Sequence, residues 1–149
     1  MRALIQRVQR CAVRIHGAVH SSIDKGILIL LGVKNGDTET NATYLAERCA
    51  ALRIFEDGDG KMNLSLRDVG GSVMVVSQFT LYGDTRRGNR PSYTEAAPSE
   101  LAEKLYETFT RELRALLGND KVATGVFRAM MQVDLVNDGP VTVMLESKP

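Results

Sequence analysis

The sequence holds few of the residues on which common catalytic sites depend. Its 149 residues include only two histidines and two cysteines. His16 and His20 both lie in one N-terminal segment, so few residues are available for a Ser-His-Asp or Cys-His mechanism. Any hydrolysis would therefore rely on hydrogen bonds, backbone amides and the substrate's own groups. Cys11 and Cys49 form no metal-binding or redox spacing and make a poor disulfide framework, which favours a reducing compartment.

Neither charge nor hydrophobicity is concentrated in one part of the chain. The 19 Lys and Arg residues almost balance the 18 Asp and Glu residues, for a formal net charge of +1. This balance excludes a polybasic tail protein and an acidic solvating domain. The longest apolar run, residues 27–31, is far too short to span a bilayer, and the charged start is unlike a signal peptide. We therefore expect a cytoplasmic protein with no membrane contact.

Hydrophobic periodicity predicts more strands than helices within one domain, residues 1–149. The clearest helix covers residues 99–117 and ends at Gly118, and a shorter one follows an N-cap at Asp37 or Thr38. Strands are predicted at residues 3–14, 27–33, 52–56, 72–81, 122–127, 130–136 and 141–146. Short connections indicate an α+β fold with mixed, largely antiparallel sheets, curled like a barrel, and two main helices.

Two patterns that could bind a metal ion have simpler structural explanations. The acidic segment 57–60 resembles the start of a calcium loop, but Lys61 stands where a third oxygen ligand is needed, and a β-turn explains the segment. His16 and His20 flank a predicted hairpin and could share a metal, or they could be exposed strand ends without a third ligand. We therefore predict no metal and no cofactor.

Two further segments have both a structural and a functional interpretation. The strand that begins near residue 72 ends in polar residues at 77–80, whose hydroxyl groups could simply satisfy neighbouring backbone groups. Residues 137–142, Asn-Asp-Gly-Pro-Val-Thr, are typical of a hairpin turn.

Together, these two segments resemble the motifs of the D-aminoacyl-tRNA deacylase (D-tyrosyl-tRNA deacylase) family, of the homodimeric proofreading type. The resemblance extends over essentially the whole chain and includes residues 1–8, 52–57, 61–66 and 84–91. It departs from the family pattern at Arg128, where glycine is usual, and at Gly83, where alanine is usual.

The resemblance implies a homodimer that hydrolyses the ester bond of D-aminoacyl-tRNA and of mischarged glycyl-tRNA. It implies a cis bond between Gly139 and Pro140, in a loop that enters the partner subunit's active site. There the Gly139 carbonyl would clash with an L side chain, which is specificity by exclusion. Arg7 matches the arginine that supports this loop.

The resemblance also assigns the pocket. The backbone amides of Phe79 and Thr80 would face the reacting carbonyl. Substrate-binding positions are Ser77, Gln78, Phe127 and Met131. Either Thr80 or a ribose hydroxyl of the terminal adenosine could assist the chemistry. We do not favour Thr80 as the nucleophile, because no base lies next to it in the motif.

A local basic loop contains Arg86, Arg87 and Arg90. Such a loop is either merely solvated or, given the resemblance, contacts phosphates of the tRNA acceptor stem. Two rival functions remain for the chain: a non-enzymatic nucleic-acid-binding module that uses this loop, and a general esterase that acts on small amino-acid esters.

Overall fold

A long first strand organises the sheet in the computed structural model, which describes residues 1–148. The first strand is paired antiparallel with the second, third and eighth strands, and the third, sixth and seventh strands continue the sheet in parallel. The strands of this sheet are β1 (Arg2–Ile15), β2 (Ala18–Ile23), β3 (Gly26–Gly32), β6 (Ser72–Ser77), β7 (Val122–Thr124) and β8 (Gln132–Glu146). The Ser21 hydroxyl donates to the Thr124 carbonyl at 2.7 Å, so β2 approaches β7 and the sheet is nearly closed into a barrel.

The connections supply the helices and a small second sheet. The helices are α1 (Glu39–Ala51), α2 (Leu66–Val69) and α3 (Ser99–Leu117), and 3₁₀ turns form at Phe79–Tyr82 and Asn119–Lys121. The short strands β4 (Phe55–Glu56) and β5 (Met62–Leu64) pair with each other. No helix within residues 1–148 is long and apolar enough to cross a membrane.

The strands β3 and β6 are buried on both faces, as the unbroken apolar run of β3 predicts. Ile27 and Ile29 belong to the larger core, which includes buried side chains of α1 and α3, whereas Leu28 belongs to the smaller core within the curl of the sheet. The same alternation holds in β6, where Val75 joins the larger core and Met74 the smaller one. Successive side chains point to opposite faces of a strand, so both faces must be apolar.

The predicted α+β fold with two main helices is confirmed, and α3 has the predicted bounds. The N-cap of α1 is Thr38. The other candidate, Asp37, accepts instead from the Lys34 amide at 2.8 Å and lies 2.9 Å from the Met1 amino group. The prediction did not include α2, whose N-cap Ser65 accepts from the Asp68 amide.

Four predicted strand bounds are wrong, each for a local reason. The strand predicted at 72–81 ends at Ser77, because the next residues form a 3₁₀ turn. The strand predicted at 52–56 begins only at Phe55, since Leu52 is the C-cap of α1. β7 ends at Thr124, ahead of Gly125, whose amide donates to the Val75 carbonyl at 3.0 Å.

The fourth difference concerns the last strand. The segments predicted at 130–136 and 141–146 are parts of the single strand β8. The register of β8 against β1 shifts between Gln6 and Val8 and again between Val8 and Arg10. These shifts accommodate the residues between the two predicted segments. The predicted hairpin turn at 137–140 is therefore an irregularity within one strand, as bulges are.

We predict that both thiols are protected in the folded protein. Burial raises the pKa of the Cys11 thiol to about 11 and that of Cys49 to about 12, and the thiolate is the reactive form. At pH 8 a disulfide reagent such as DTNB should react with neither cysteine until denaturant is added. Because the folded pKa values are raised, stability should fall as the pH rises above about 9, where unfolded thiols ionise. Fast reaction of a native thiol would contradict this prediction.

Candidate active site

A cleft of about 690 Å³ opens where the parallel strands β3 and β6 end. Its walls come from the end of β6, from the segment that precedes α3, and from the segment between β7 and β8. The lining residues are Val33, Val76, Ser77, Gln78, Phe79, Tyr93, Ala96, Ala97, Pro98, Ser99, Ala102, Phe127, Arg128, Ala129, Met130, Met131 and Val133. The cleft thus forms at the carboxyl edge of a parallel sheet, a common position for ligand sites.

The end of β6 is held against β3 by backbone contacts. The Gln78 amide donates to the Leu31 carbonyl at 2.8 Å, and the Leu81 amide then donates to the Gln78 carbonyl at 3.3 Å. A Cβ atom on Gly32 would lie 3.1 Å from the Leu81 Cβ and 3.2 Å from the Gln78 carbonyl oxygen. Glycine at position 32 therefore lets the 3₁₀ turn pack closely on β3. The backbone amides of residues 79 and 80 donate neither of these two hydrogen bonds.

The structure brings five of the predicted pocket residues to this cleft. They are Ser77, Gln78, Phe79, Phe127 and Met131. It does not place Thr80 among the lining residues, and the Thr80 side chain is exposed. The Gln78 side-chain amide donates to the Thr80 hydroxyl, so this hydroxyl belongs to a local polar pair at the start of the turn.

Two tyrosines that the sequence did not single out support the aromatic walls. The Tyr93 ring meets Phe79 edge-on, with 5.1 Å between centroids, and Tyr106 of α3 packs on Phe127 at 5.9 Å. The Tyr106 hydroxyl donates to the Val75 carbonyl at 3.2 Å, and burial raises the pKa of this hydroxyl to about 12, which keeps it protonated. The apolar stripe of α3 marks its buried face, but only the fold shows that Tyr106 reaches the cleft wall.

The cleft lining carries almost no charge. Its residues within the described chain include no Asp, Glu, His, Lys or Cys, and Arg128 is the one charged member. Arg128 also has a positive φ of 67°, the left-handed region that favours glycine. Residues 1–148 contain no group of three His, Cys, Asp or Glu side chains arranged to hold a metal ion. The side chains of this cleft therefore offer no carboxylate, imidazole, amine or thiol for acid–base chemistry.

The Gly139–Pro140 segment is exposed and does not line the cleft of its own chain, and the bond between these two residues is cis. The Asn137 side-chain amide donates to the carbonyls of Arg7 and Val141, at 3.0 and 3.1 Å. A Cβ atom on Gly139 would lie 2.3 Å from the Asn137 side-chain oxygen, so a side chain at 139 would displace Asn137. The segment is therefore braced at its base while its tip faces outward.

Arg7, which the resemblance assigns to the support of this segment, contacts the residue that precedes Gly139. Its Nε donates to the Asp138 carbonyl at 2.8 Å and lies 3.4 Å from the Asp138 carboxylate. One terminal nitrogen donates to the Ile54 carbonyl at 2.7 Å in a buried setting. The Arg7 side chain is only 8% exposed, and its charge-assisted hydrogen bonds hold the base of the segment in place.

The predicted basic loop lies beside the cleft. Backbone hydrogen bonds between Asp84 and Ser92, at 2.7 and 2.9 Å, close the loop two residues after the 3₁₀ turn and one residue before Tyr93. Arg86 donates to both Asp84 carboxylate oxygens, at 2.9 and 2.7 Å, and this contact lowers the pKa of Asp84 to about 2. Arg87 and Arg90 are exposed. The loop therefore presents cations at the rim, one of them already paired.

We predict that Tyr106→Phe destabilises the protein by about 0.5–1.5 kcal/mol, the usual net value of one hydrogen bond. The ring still packs on Phe127, and the Val75 carbonyl still accepts from the Gly125 amide, so the loss should stay small. Tyr44→Phe is the matched control, because its hydroxyl only accepts from Arg48 at the surface. Urea unfolding followed by circular dichroism measures both variants. Equal effects of the two substitutions would contradict a structural role of the Tyr106 hydroxyl.

Comparison with known proteins agrees with the motifs. The family model described as D-Tyr-tRNA(Tyr) deacylase matches residues 4–146. D-aminoacyl-tRNA deacylases of Salinibacter ruber and Koribacter versatilis are 58% and 55% identical over 148 residues, 99% of this chain and 98% of each relative. A solved structure titled c-Myc DNA Unwinding Element Binding Protein has a TM-score of 0.95 and 39% identity, with 100% of both chains covered. The resemblance is thereby confirmed, and the chain belongs to the D-Tyr-tRNA(Tyr) deacylase family of ester-hydrolysing enzymes.

Proposed function

We propose that the protein hydrolyses the ester bond of D-aminoacyl-tRNA and of mischarged glycyl-tRNA, releasing tRNA and the amino acid. Family membership and the names of the relatives support this substrate class. The observation that carries the proposal is the cleft itself. It is mostly apolar, has Ser77, Gln78 and Phe79 at the end of β6, and has no carboxylate, imidazole, amine or thiol in its lining. Such a site suits an intrinsically labile ester. Aminoacyl-tRNA is a cytoplasmic substrate, so we place the activity there.

The chemistry is assigned to backbone groups and to the substrate. Water adds to the ester carbonyl, the bond to the ribose oxygen breaks, and that oxygen takes up a proton. The amides of Phe79 and Thr80 stabilise the oxyanion, and the loss of one such donor typically costs about 2.7–4 kcal/mol in the transition state. The neighbouring ribose hydroxyl of the terminal adenosine assists the attacking water, because the cleft supplies no base of its own.

Thr80 acts through its backbone amide and by fixing the pocket. Its hydroxyl is exposed, lies outside the cleft lining and accepts from Gln78. A hydroxyl without an adjacent base is a weak nucleophile at neutral pH. The same polar pair holds the Gln78 side chain at the start of the turn.

The remaining lining residues bind the substrate. Ser77 and Gln78 supply polar contacts at the end of β6, while Phe127 and Met131 supply an apolar wall. The basic loop contacts the tRNA. Because Arg86 is already paired with Asp84, Arg87 and Arg90 are the loop cations that are available for phosphate groups.

A homodimer completes the site in this proposal. The Gly139–Pro140 segment is braced by Arg7 and Asn137, yet its exposed tip does not reach the cleft of its own chain. A second copy could receive this tip in its cleft, where the Gly139 carbonyl would exclude an L side chain and tolerate glycine. Rigid support at the base of the segment favours this role, because the Gly139 carbonyl can exclude an L side chain only if it does not move aside.

The deacylation assay compares D-Tyr-tRNA, L-Tyr-tRNA and Gly-tRNA under matched conditions. We expect release of D-tyrosine and glycine, with L-Tyr-tRNA spared by at least about tenfold, which corresponds to about 1.4 kcal/mol of discrimination. Binding of tRNA or DNA without release of any amino acid would instead support the nucleic-acid-binding module. Equal hydrolysis of free D- and L-tyrosine ethyl esters would support a general esterase.

We predict that Arg7→Ala lowers the D-to-L ratio of turnover, because the Asp138 carbonyl loses its charge-assisted donor and the Gly139 tip is released. Arg10→Ala is the matched control on β1, since Arg10 is 59% exposed and faces only Asp134 at 3.7 Å. Asn137→Ala should lower the ratio in the same direction without removing a buried charge. Light scattering reports the oligomeric state of each variant. A fully active, selective monomer would overturn the arrangement between subunits.

A further inference from the structure

Arg128 is a cation in the lining of the cleft. It is the one charged residue among those that line the cleft, and its side chain is exposed. Within residues 1–148 it takes part in no ion pair and in no side-chain hydrogen bond. Charge interactions gain strength beside apolar surfaces, where water screens them less. The cleft therefore presents an unneutralised positive charge beside an otherwise neutral lining.

The backbone at Arg128 is not one that arginine adopts by preference. Its φ of 67° lies in the left-handed region, and His16, at a hairpin, is the other non-glycine residue within 1–148 with a positive φ. Residues with a Cβ atom resist this conformation. The turn is closed by a hydrogen bond from the Ala129 amide to the Val126 carbonyl at 3.1 Å. An arginine is held here at a conformational cost that glycine would avoid, and such positions concentrate at functional sites.

The substrate of the proposed function brings an anion to this place. The scissile ester is carried by the ribose of the terminal adenosine, and the first phosphodiester is attached to the 5′ carbon of that same ribose. When the ester carbonyl lies at the end of β6, this phosphate is separated from it by one sugar. The planar guanidinium group binds phosphate through two parallel hydrogen bonds, which a neutral pocket side chain does not offer.

We propose that Arg128 binds the phosphodiester group that joins the terminal adenosine to the preceding nucleotide. This inference rests on the proposed function and adds to it a way to distinguish nucleic-acid esters from small amino-acid esters. The role differs from that of Arg86, whose guanidinium is already occupied by the Asp84 carboxylate. It also differs from that of Arg87 and Arg90, which belong to the basic loop and do not line the cleft.

The test uses two substrates that differ in one charge. Both are short acceptor-stem hairpins that end in CCA and carry D-tyrosine, with the terminal linkage either a normal phosphodiester or a neutral methylphosphonate. Arg128→Gln should lower kcat/KM on the phosphodiester substrate by about tenfold, the loss expected for one contact between a guanidinium and a phosphate. On the methylphosphonate substrate the same variant should match the unmodified protein. Arg128→Lys should restore only part of the lost activity, because lysine keeps the charge but lacks the two parallel hydrogen bonds.

Arg128→Gly separates a binding role from a structural one. Glycine removes the cation and relieves the left-handed backbone, so the thermal midpoint should rise while kcat/KM on the phosphodiester substrate falls. Arg111→Gln is the matched control, because Arg111 is an exposed arginine of α3 that does not line the cleft. This control should change neither quantity.

Each outcome decides between explanations. Equal losses by Arg128→Gln on both substrates would overturn the phosphate contact and assign the residue to the nucleoside or to pocket shape. No loss on either substrate would show that Arg128 is a solvated surface residue. If the unmodified protein released tyrosine from neither hairpin nor from D-Tyr-tRNA, the proposed function itself would fail. If the unmodified protein released tyrosine from D-Tyr-tRNA but Arg128→Gln did not show the expected difference between the two hairpins, only this inference would be overturned.

Discussion

The pairing of β1 along both of its edges holds the fold and the candidate site in one framework. One edge carries β3 and then β2, while the other carries β8 over almost its full length. Arg7 lies midway along β1, so its guanidinium reaches the Asp138 and Ile54 carbonyls at once. A register slip of one residue would turn every side chain of β1 to the other face. The position of the Gly139–Pro140 segment therefore depends on the register of this strand.

The cleft is built from backbone and apolar groups more than from reactive side chains. The 3₁₀ turn after β6 fixes the direction of the backbone at Phe79, and Gly32 allows that turn to approach β3. Tyr93 and Tyr106 hold the aromatic walls. A rigid arrangement of this kind suits catalysis by preorganised amides, since donors that are already in place need no rearrangement during the reaction. In the mechanism that we propose, a chain with two histidines can therefore act as a hydrolase.

The sequence predicted elements well where hydrophobic periodicity is long and regular. The stripe of α3 predicted both of its ends, and the apolar run of β3 predicted a strand buried on both faces. The errors arose where a strand meets a turn. The composition favours a strand through residue 81, but the 3₁₀ turn at Phe79–Tyr82 ends β6 at Ser77. Likewise, turn-forming residues at 137–140 lie inside β8, because β1 pairs with this strand on both sides of them, at Thr142 and at Asn137.

The α+β class, the family and five of the seventeen residues that line the cleft can be predicted from the sequence alone, because they depend on local pattern and on two short motifs. Which of these residues come into contact depends on the tertiary structure. It brought Tyr106 behind Phe127, left the Thr80 hydroxyl outside the cleft, and made Arg128 the one charge in its lining. These contacts join segments that are distant along the chain. They follow from strand pairing and helix packing, which no local pattern encodes.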